Sequence, residues 1–470
     1  MEIFLFNTLG RKLEKFEPLE EGKVGIYCCG PTVYHFAHLG NFRSYLFQDV
    51  LVKFLRKIGY SVKHVMNITD VGHLVSDADE GEDKMVLAAK SEGKEVLEIA
   101  EFYMRAFFED AAKLNIARPD IVCRATEHID DMLNLIKRLQ EKGLVYVAGG
   151  NVYFDTSKFP NYGRLRGQRF KAAEEFSRVD SDPNKKNPED FVLWFTKSKY
   201  EGHLLLWDSE WGRGYPGWHI ECSAMAMKHL GESFDIHCGG VDHIEVHHTN
   251  EIAQSEGATG KPFAKYWLHN EFVLFNNDKM SKSKGTIVLV KDIENDGFSP
   301  LDYRYLTLTA HYRKPINFTK EALEGARSAR RNLVMAVALE AAKQGLDLPS
   351  LNSFRSSSFV GSNEFFAPLA KDINTPECLS LVWEAVKTSP APVAKIFEVD
   401  QVLGLRLLET VSQALHVDEE FNRIANQRKE ARAKKNYSKA DQLRTVLVQN
   451  GFEVFDLPSG QQLLLNTNFV

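Results

Sequence analysis

Three parts of the sequence hold residue types whose spacing could do chemistry. His38-Leu39-Gly40-Asn41 stands where a strand should run into a helix. At such a junction glycine lets the backbone approach a phosphate, the helix N-terminus offers N–H groups and positive potential, and a histidine can donate to a phosphate oxygen. Taken alone, the same four residues fit an ordinary helix start with a surface histidine. Lys279-Met280-Ser281-Lys282-Ser283-Lys284-Gly285 gathers three lysines in one short-residue loop. Their ammonium groups could close over a triphosphate and neutralise the charge that builds as pyrophosphate departs. A lysine cluster by itself also describes a solvated basic turn.

The third part is the stretch from Gly217 to Phe275, which holds seven of the 15 histidines, at 219, 229, 237, 243, 247, 248 and 269. So dense a cluster suggests metal or phosphate chemistry. His247 and Glu251 lie four apart in a helix-compatible run, so they share a face and can bind one ion. Cys222 and Cys29 could complete a mixed Cys₂-His-Glu zinc site. No CxxC pair marks it, and buried structural cysteines beside a surface His–Glu pair are the plainer reading of that spacing. Cys28, Cys238, His243 and His248 are also chemically able to bind zinc. Along a strand Cys28 and Cys29 point to opposite faces, so one of the two at most is expected to serve.

The elements that must position these groups follow from hydrophobic patterning. Lys23 to Tyr27 alternate as a strand, Phe42 to Ile58 form an amphipathic helix, and Ser61 to Ile68 read as a second strand after Gly59. That is a β-α-β opening of a parallel sheet, with its ligand edge at the loop 28–41. From about Asn115 the pattern loosens into a helix at Ile129 to Glu141, short strands near Val145 to Phe154 and the polar run Ser181 to Lys186, which reads as an insertion. After Tyr303 the sequence turns helical, with a long stretch from Ala322 to Ala342, a serine-rich break at Pro349 to Ser362 and another helical block to His416. Phe421 to Arg444 carries eight basic residues against Glu430 and Asp441 on what reads as one helix, and Phe452 to Leu465 reads as a strand pair turning at Ser459-Gly460.

Composition excludes several classes. With 470 residues, 44% of them hydrophobic and 26% charged, the chain is neither one small module nor disordered. A net charge of −6 means that contact with nucleic acid must come from a local basic surface. No apolar run approaches a membrane span, the N-terminus lacks a signal-peptide layout, and six cysteines are too few for a disulfide scaffold. A cytoplasmic chain without membrane contact is expected.

The lysine loop matches the KMSKS signature of class I aminoacyl-tRNA synthetases, and His38 to Asn41 matches their HIGH signature, in the right order. Together with Asn67-Ile68-Thr69-Asp70, Asn187 to Trp194, Gly217 to Met225 and Asn374-Thr375-Pro376-Glu377, these segments make the chain resemble the cysteinyl-tRNA synthetase family nearly end to end. Asn41 departs from the family's usual second histidine, although an amide can still donate to phosphate. Val71-Gly72-His73, Cys238 and His243 to Val246 depart as well.

The resemblance implies an α/β fold: a Rossmann-type class I catalytic domain split by an insertion, then an α-helical bundle anticodon-binding region and a small mixed α/β C-terminal tail. The corresponding divisions are 1–114 and 206–275 for the catalytic halves, 115–205 for the insertion, 276–320 for the KMSKS-bearing stem-contact domain, 321–420 for the bundle and 421–470 for the tail. It further implies activation of L-cysteine with ATP and Mg²⁺, transfer to the 3′ end of tRNA(Cys), and work as a monomer. His38, Asn41, Lys279 and Lys282 would be catalytic, and Gly40 and Asp242 would join them around ATP. Gly30, Thr69, Trp218 and Asp242 would contact substrate, although Trp218 also suits plain core packing. One Zn²⁺ per chain would sit on Cys29, Cys222, His247 and Glu251, and thiolate ligation would reject serine without an editing site. The amino-sugar ligase of mycothiol synthesis shares the catalytic half, but the basic tail argues against it. A non-catalytic tRNA-binding paralogue is expected to lose phosphate or zinc residues that are all present here.

Overall fold

A short hairpin, Phe4–Asn7 (β1) and Lys12–Lys15 (β2), precedes the first of the β-branched runs. Those runs become Lys23–Cys28 (β3) and Ser61–Ile68 (β4), joined by the helix Leu39–Lys57 (α1). The computed structural model describes the chain apart from residues 72–94, 168–181, 198–204, 277, 280–285, 355–362, 389, 458–459 and 467–470. It divides into two units, Glu2–Asp292 with Tyr312–Ile316, and Ile293–His311 with Asn317–Val470.

In the first unit the chain continues through Val96–Lys113 (α2), Ile121–Arg124 (β5), Ile129–Glu141 (α3), Val145–Ala148 (β6), Asn151–Phe154 (β7), Phe191–Phe195 (β8), Tyr215–Pro216 (β9), Trp218–Leu230 (α4), Phe234–Gly240 (β10), His247–Thr259 (α5), Ala264–Asn270 (β11), Val273–Phe275 (β12) and Asp278–Lys279 (β13). Five of these strands form a parallel sheet in the order β11-β10-β3-β4-β5. The chain steps outward from β3 in both directions, so β3 and β10 flank the point where strand order reverses, which is where an open α/β sheet binds ligands. Right-handed crossovers running opposite ways put α1 and α5 on opposite faces. The face bearing Tyr27, Val65, Cys123 and Trp267 packs under Met132, Ile136 and Leu139 of α3, Ile220 and Met225 of α4 and Ile252 of α5. Strand β5 falls within the stretch 115–205, and residues from there supply both β5 and α3 to this sheet. The antiparallel sheet β6-β7-β8-β9 then occupies Val145 to Pro216.

Several of the segments that carry the family resemblance hold the fold together. Asp190 accepts from Tyr146 Oη at 2.8 Å and from the backbone N–H and hydroxyl of Thr156 at 2.9 and 2.8 Å, tying β6, β7 and β8 together. Asp70, with no exposed surface, accepts from Arg124 Nε at 2.9 Å and from Thr126 N at 2.9 Å, fixing the end of β5.

The second unit is helical: Pro300–Leu308 (α6), Lys320–Lys343 (α7), Thr375–Val386 (α8), Val393–Leu403 (α9), Leu407–Leu415 (α10), Glu419–Ala433 (α11) and Tyr437–Gln449 (α12), closed by the hairpin Phe452–Leu457 (β14) and Gly460–Leu465 (β15). A short helix at Leu348–Ser353 occupies the start of the serine-rich break, the rest of which, 355–362, lies outside the described residues. Asn374 caps α8, its Oδ1 accepting from Glu377 N and its Nδ2 donating to Glu377 Oε2. The expected single helix from Phe421 to Arg444 is two helices. Lys435 adopts φ 58°, and Asn436 caps the new start by accepting from Lys439 N at 3.2 Å. Ala425, Leu447, Phe452, Val454 and Leu463 form a small core of their own.

Asp400, on α9, is buried and accepts from Leu405 N at 2.8 Å and Leu407 N at 2.6 Å. Burial raises its pKa from 3.8 to about 6, the two N–H donors and Arg304 opposing the rise. The folded state therefore binds its proton more tightly than the unfolded chain, so this contribution is fully present below about pH 4 and is lost as pH rises through 6. Relative to wild type, Asp400→Asn is expected to gain about 3 kcal/mol between pH 4 and 7, read from urea midpoints at each pH. A difference that does not change with pH would contradict it.

Candidate active site and metal centre

The carboxyl ends of β3 and β10 open into a cavity of about 360 Å³. Cys29, Gly30, His38, Gly40, Asn41, Thr69, Trp218, Cys222, Asp242 and His247 all line it. Glu251 lies behind them with no exposed surface. Lys279 is on β13, where its backbone alone is described, and Lys282 lies outside the described residues, as do Gly72 and His73.

One wall is the start of α1. His38 is its N-cap: His38 Nδ1 accepts from Asn41 N at 3.2 Å, and Asn41 Oδ1 accepts from His38 N at 3.0 Å. The HIGH-like motif is thus the helix start itself, which is why α1 begins at Leu39 and not at Phe42. Because Nδ1 is committed to the cap, donation from His38 to a ligand has to come from Nε2. Leu39 N is taken by Val288 O at 2.9 Å, whereas Gly40 N–H has no protein acceptor among the described residues. A cavity-lining N–H at the positive end of a 19-residue helix suits an anion.

The floor holds the sulfur and imidazole groups. Cys28 and Cys238 are register partners on β3 and β10, while Cys29, one step on, points to the other face. Ligand atoms of Cys29, Cys222, His247 and Glu251 all lie within 4.8 Å of one another, every residue buried. His247 Nε2 is 3.1 Å from Glu251 Oε1. Trp218, one turn before Cys222, stacks on His247 with ring centroids 4.2 Å apart, so it belongs to the cavity wall and not to the core. A second set, Cys29, His237, His248 and Glu251, shares two members with the first. His237 Nε2 contacts Glu251 Oε2 at 2.9 Å, and Cys29 Sγ lies 3.3 Å from His248 Nε2. From there a line of contacts runs to His269 at 2.7 Å and on to Thr8 Oγ1 at 2.8 Å.

Electrostatics fit a cation here. Burial pushes the Cys29 and Cys222 thiols up, and the negative charge of Glu251 adds to the rise in both. Burial and neighbouring imidazoles hold His248 well below the usual histidine range. Among the described residues His237 Nδ1 is buried without a hydrogen-bond partner, and Glu251 Oε1 has the His247 Nε2 contact but no well-aligned hydrogen bond. Two thiols, an imidazole and a carboxylate form a donor set that Zn²⁺ accepts in four-coordinate sites, and the ion would reverse the upward shift of the thiols.

His237, Asn67 and Glu221 were given no role by sequence reasoning, which named His248 as an alternative zinc ligand. Period-2 alternation along β10 could have found His237, since it faces away from Cys238 and hence toward Cys29. Asn67 and Glu221 carry no such signal.

The arrangement of sheet, insertion and cavity defines the class I tRNA synthetase fold. The family model described as tRNA synthetases class I (C) catalytic domain matches residues 15–328. Among solved structures, methionyl-tRNA synthetase of Mycobacterium tuberculosis in complex with methionyl-adenylate aligns with a TM-score of 0.55 at 15% identity, over 83% of this chain and 91% of that one, which speaks for the fold alone. The curated cysteine--tRNA ligases of Treponema denticola (50% identical, covering 97% of this chain and 98% of that one), Treponema pallidum (41%; 98% and 99%) and Borrelia hermsii (40%; 98% and 99%) match end to end. The chain belongs to the cysteine--tRNA ligase family.

Opposite facing of the two adjacent cysteines gives a direct check. Loaded with Co²⁺, the protein is expected to show thiolate-to-cobalt absorption that falls in Cys29→Ala and in Cys222→Ala and persists in Cys28→Ala. Loss in Cys28→Ala alone would move the metal to the other face.

Proposed function

We propose that this chain activates L-cysteine with Mg²⁺-ATP to cysteinyl-adenylate, releases pyrophosphate, and transfers cysteine to the 3′ end of tRNA(Cys). The observation that carries this reading is the convergence of Cys29, Cys222 and His247 on the floor of the same cavity whose wall is the N-terminus of α1. That floor is a place for a sulfur-bearing side chain, and that wall is a place for phosphates.

We assign one zinc per chain to Cys29, Cys222, His247 and Glu251. This set is preferred to Cys29, His237, His248 and Glu251 because His237 and His248 do not line the cavity. When bound, the ion supplies a Lewis acid that takes a thiolate far better than a neutral hydroxyl, which rejects serine. The protein's own part is positioning and charge stabilisation. His38 Nε2, the Gly40 N–H, the Asn41 amide and the lysines Lys279 and Lys282 hold the phosphates while the cysteine carboxylate attacks the α-phosphate in line and pyrophosphate leaves. Asp242 is exposed on the turn after β10, and in this reading it meets the ribose or the substrate amine. Gly30, Thr69 and Trp218 enclose the amino acid. No protein nucleophile is needed.

Among the described residues no helix is long and apolar enough to cross a membrane. We take the chain to act as a cytoplasmic monomer, with the six sequence divisions as its domains and the tail reading tRNA. Arg428 is 1% exposed and paired bidentately with Asp456 at 2.8 and 2.9 Å, and Arg432 pairs with the same carboxylate. Two of the eight basic residues of the tail are therefore structural, which leaves Arg423, Lys429, Lys434, Lys435, Lys439 and Arg444 exposed for phosphates.

The central test is pyrophosphate exchange with a panel of amino acids. Cysteine is expected to drive exchange, and serine to fall short in kcat/KM by about 10⁴-fold or more. Preference for another amino acid would overturn the assignment. For the tail, replacing Lys434, Lys435 and Lys439 together with alanine is expected to weaken tRNA(Cys) charging at limiting tRNA and to flatten its salt dependence, with exchange unchanged. Unaltered charging would make the basic surface a solvated one.

A further inference from the structure

The cavity wall beside Cys29 carries a hydrogen-bond chain that runs from Gly30 through Asn67 and Thr69 to Glu221. Gly30 sits so close to the next strand that a Cβ there would lie 1.8 Å from Asn67 O. Its backbone N–H donates to Asn67 Oδ1 at 2.8 Å. A backbone N–H can only donate, so the amide oxygen faces Gly30 and Asn67 Nδ2 is the end turned toward Thr69 Oγ1, at 3.1 Å. An amide nitrogen also only donates, so the Thr69 hydroxyl accepts there. Thr69 Oγ1 then donates to Glu221 Oε2 at 3.1 Å, so the hydroxyl proton goes to Glu221. Glu221 stands in the first turn of α4, where the helix N-terminus favours negative charge. Asn67, Thr69 and Glu221 are 1%, 2% and 0% exposed, so water does not compete for these links.

A hydroxyl has one proton and two lone pairs. Glu221 takes the proton and Asn67 one lone pair, which leaves Thr69 a single lone pair for anything in the cavity. We infer that Glu221 is a positioning residue that sets the polarity of the amino-acid pocket at Thr69: by holding the Thr69 proton it makes that hydroxyl an acceptor only, so Thr69 takes the ammonium group of a bound amino acid and leaves its carboxylate to donors elsewhere. This rests on the amino-acid-activating reading above. Glu221 does not itself line the cavity and acts through Thr69. The consequence for the reaction is orientation. With sulfur at the floor and nitrogen at the Thr69 wall, the substrate carboxylate is left to face the α1 N-terminus, where the phosphates would lie.

The test is calorimetric binding of two cysteine fragments to the full-length, metal-loaded protein. Cysteamine keeps the thiol and the ammonium; 3-mercaptopropionate keeps the thiol and the carboxylate. The wild type is expected to favour cysteamine. Glu221→Ala releases the Thr69 proton into the pocket and is expected to weaken cysteamine about 10-fold or more while leaving 3-mercaptopropionate unchanged or tighter. Glu221→Gln, whose amide oxygen can accept the same proton, is expected to stay within about 3-fold of wild type. Thr69→Val removes the acceptor and is expected to weaken cysteamine as Glu221→Ala does, with metal content unchanged. Equal weakening of both fragments in Glu221→Ala, or a loss in Glu221→Gln as large as in Glu221→Ala, would overturn the inference. Absence of cysteine-dependent pyrophosphate exchange in the wild type would instead overturn the reading beneath it, and the fragment binding reads out separately from that.

Discussion

A carboxylate with no exposed surface and no lysine or arginine among its described partners is a costly group to bury, and the site of the first unit is arranged around it. Glu251 lies between His237 at 2.9 Å and His247 at 3.1 Å, with the thiols of Cys29 and Cys222 close by. Burying an ionised group without compensation is prohibitive. Contact with two imidazoles and two thiols, none of which carries a fixed positive charge, leaves a site that suits a cation. The sheet supplies that arrangement through the reversal of strand order between β3 and β10, which brings residues from four separate segments to one point. The line from Cys29 through His248 and His269 to Thr8 then extends the polar contacts behind the cavity floor.

What could be read from the sequence was what local pattern decides. Strand β3, helix α1 and strand β4 follow from alternation and helical spacing, and the helix Ile129–Glu141 begins and ends where its pattern does. The i, i+4 spacing of His247 and Glu251, and the opposite facing of Cys28 and Cys29, were legible because both are periodicities of a single element. Contacts across elements were not. Nothing local says that Asn67 turns its oxygen to Gly30, or that Glu221 receives the Thr69 proton, since each link depends on tertiary closeness between β3, β4 and α4. The tail misled for a related reason. Charge and spacing allowed one helix, and the left-handed turn at Lys435 that splits it has no strong residue signal. Arg428 counted as a surface charge until the β14–β15 hairpin brought Asp456 to it.

The signature motifs divide between chemistry and construction. His38 and Asn41 cap α1 and also line the cavity, where we propose that they meet phosphates. Asp70, Asp190 and Asn374 hold turns, strands and a helix start, which gives folding a direct use for each of them. The two units also differ in how they hold buried charge. The first concentrates imidazoles and thiols at one sheet edge, while the second neutralises Asp456 with two arginines and leaves Asp400 to backbone donors and Arg304.

Gly30 is not the only place where backbone meets backbone: a Cβ on Gly217, the residue that launches α4, would fall 2.1 Å from Val192 O. The two glycines fix the approach of the strand bearing Cys29 and of the helix bearing Trp218 and Cys222 through main-chain contact. In evolutionary terms the frame around the amino acid is a rail that point substitution cannot bend. A descendant of this chain that came to prefer another amino acid would have to exchange the side chains hung on that rail, and the record of such a change would be written at Thr69, Trp218 and the residues we assign to the metal, with both glycines left standing.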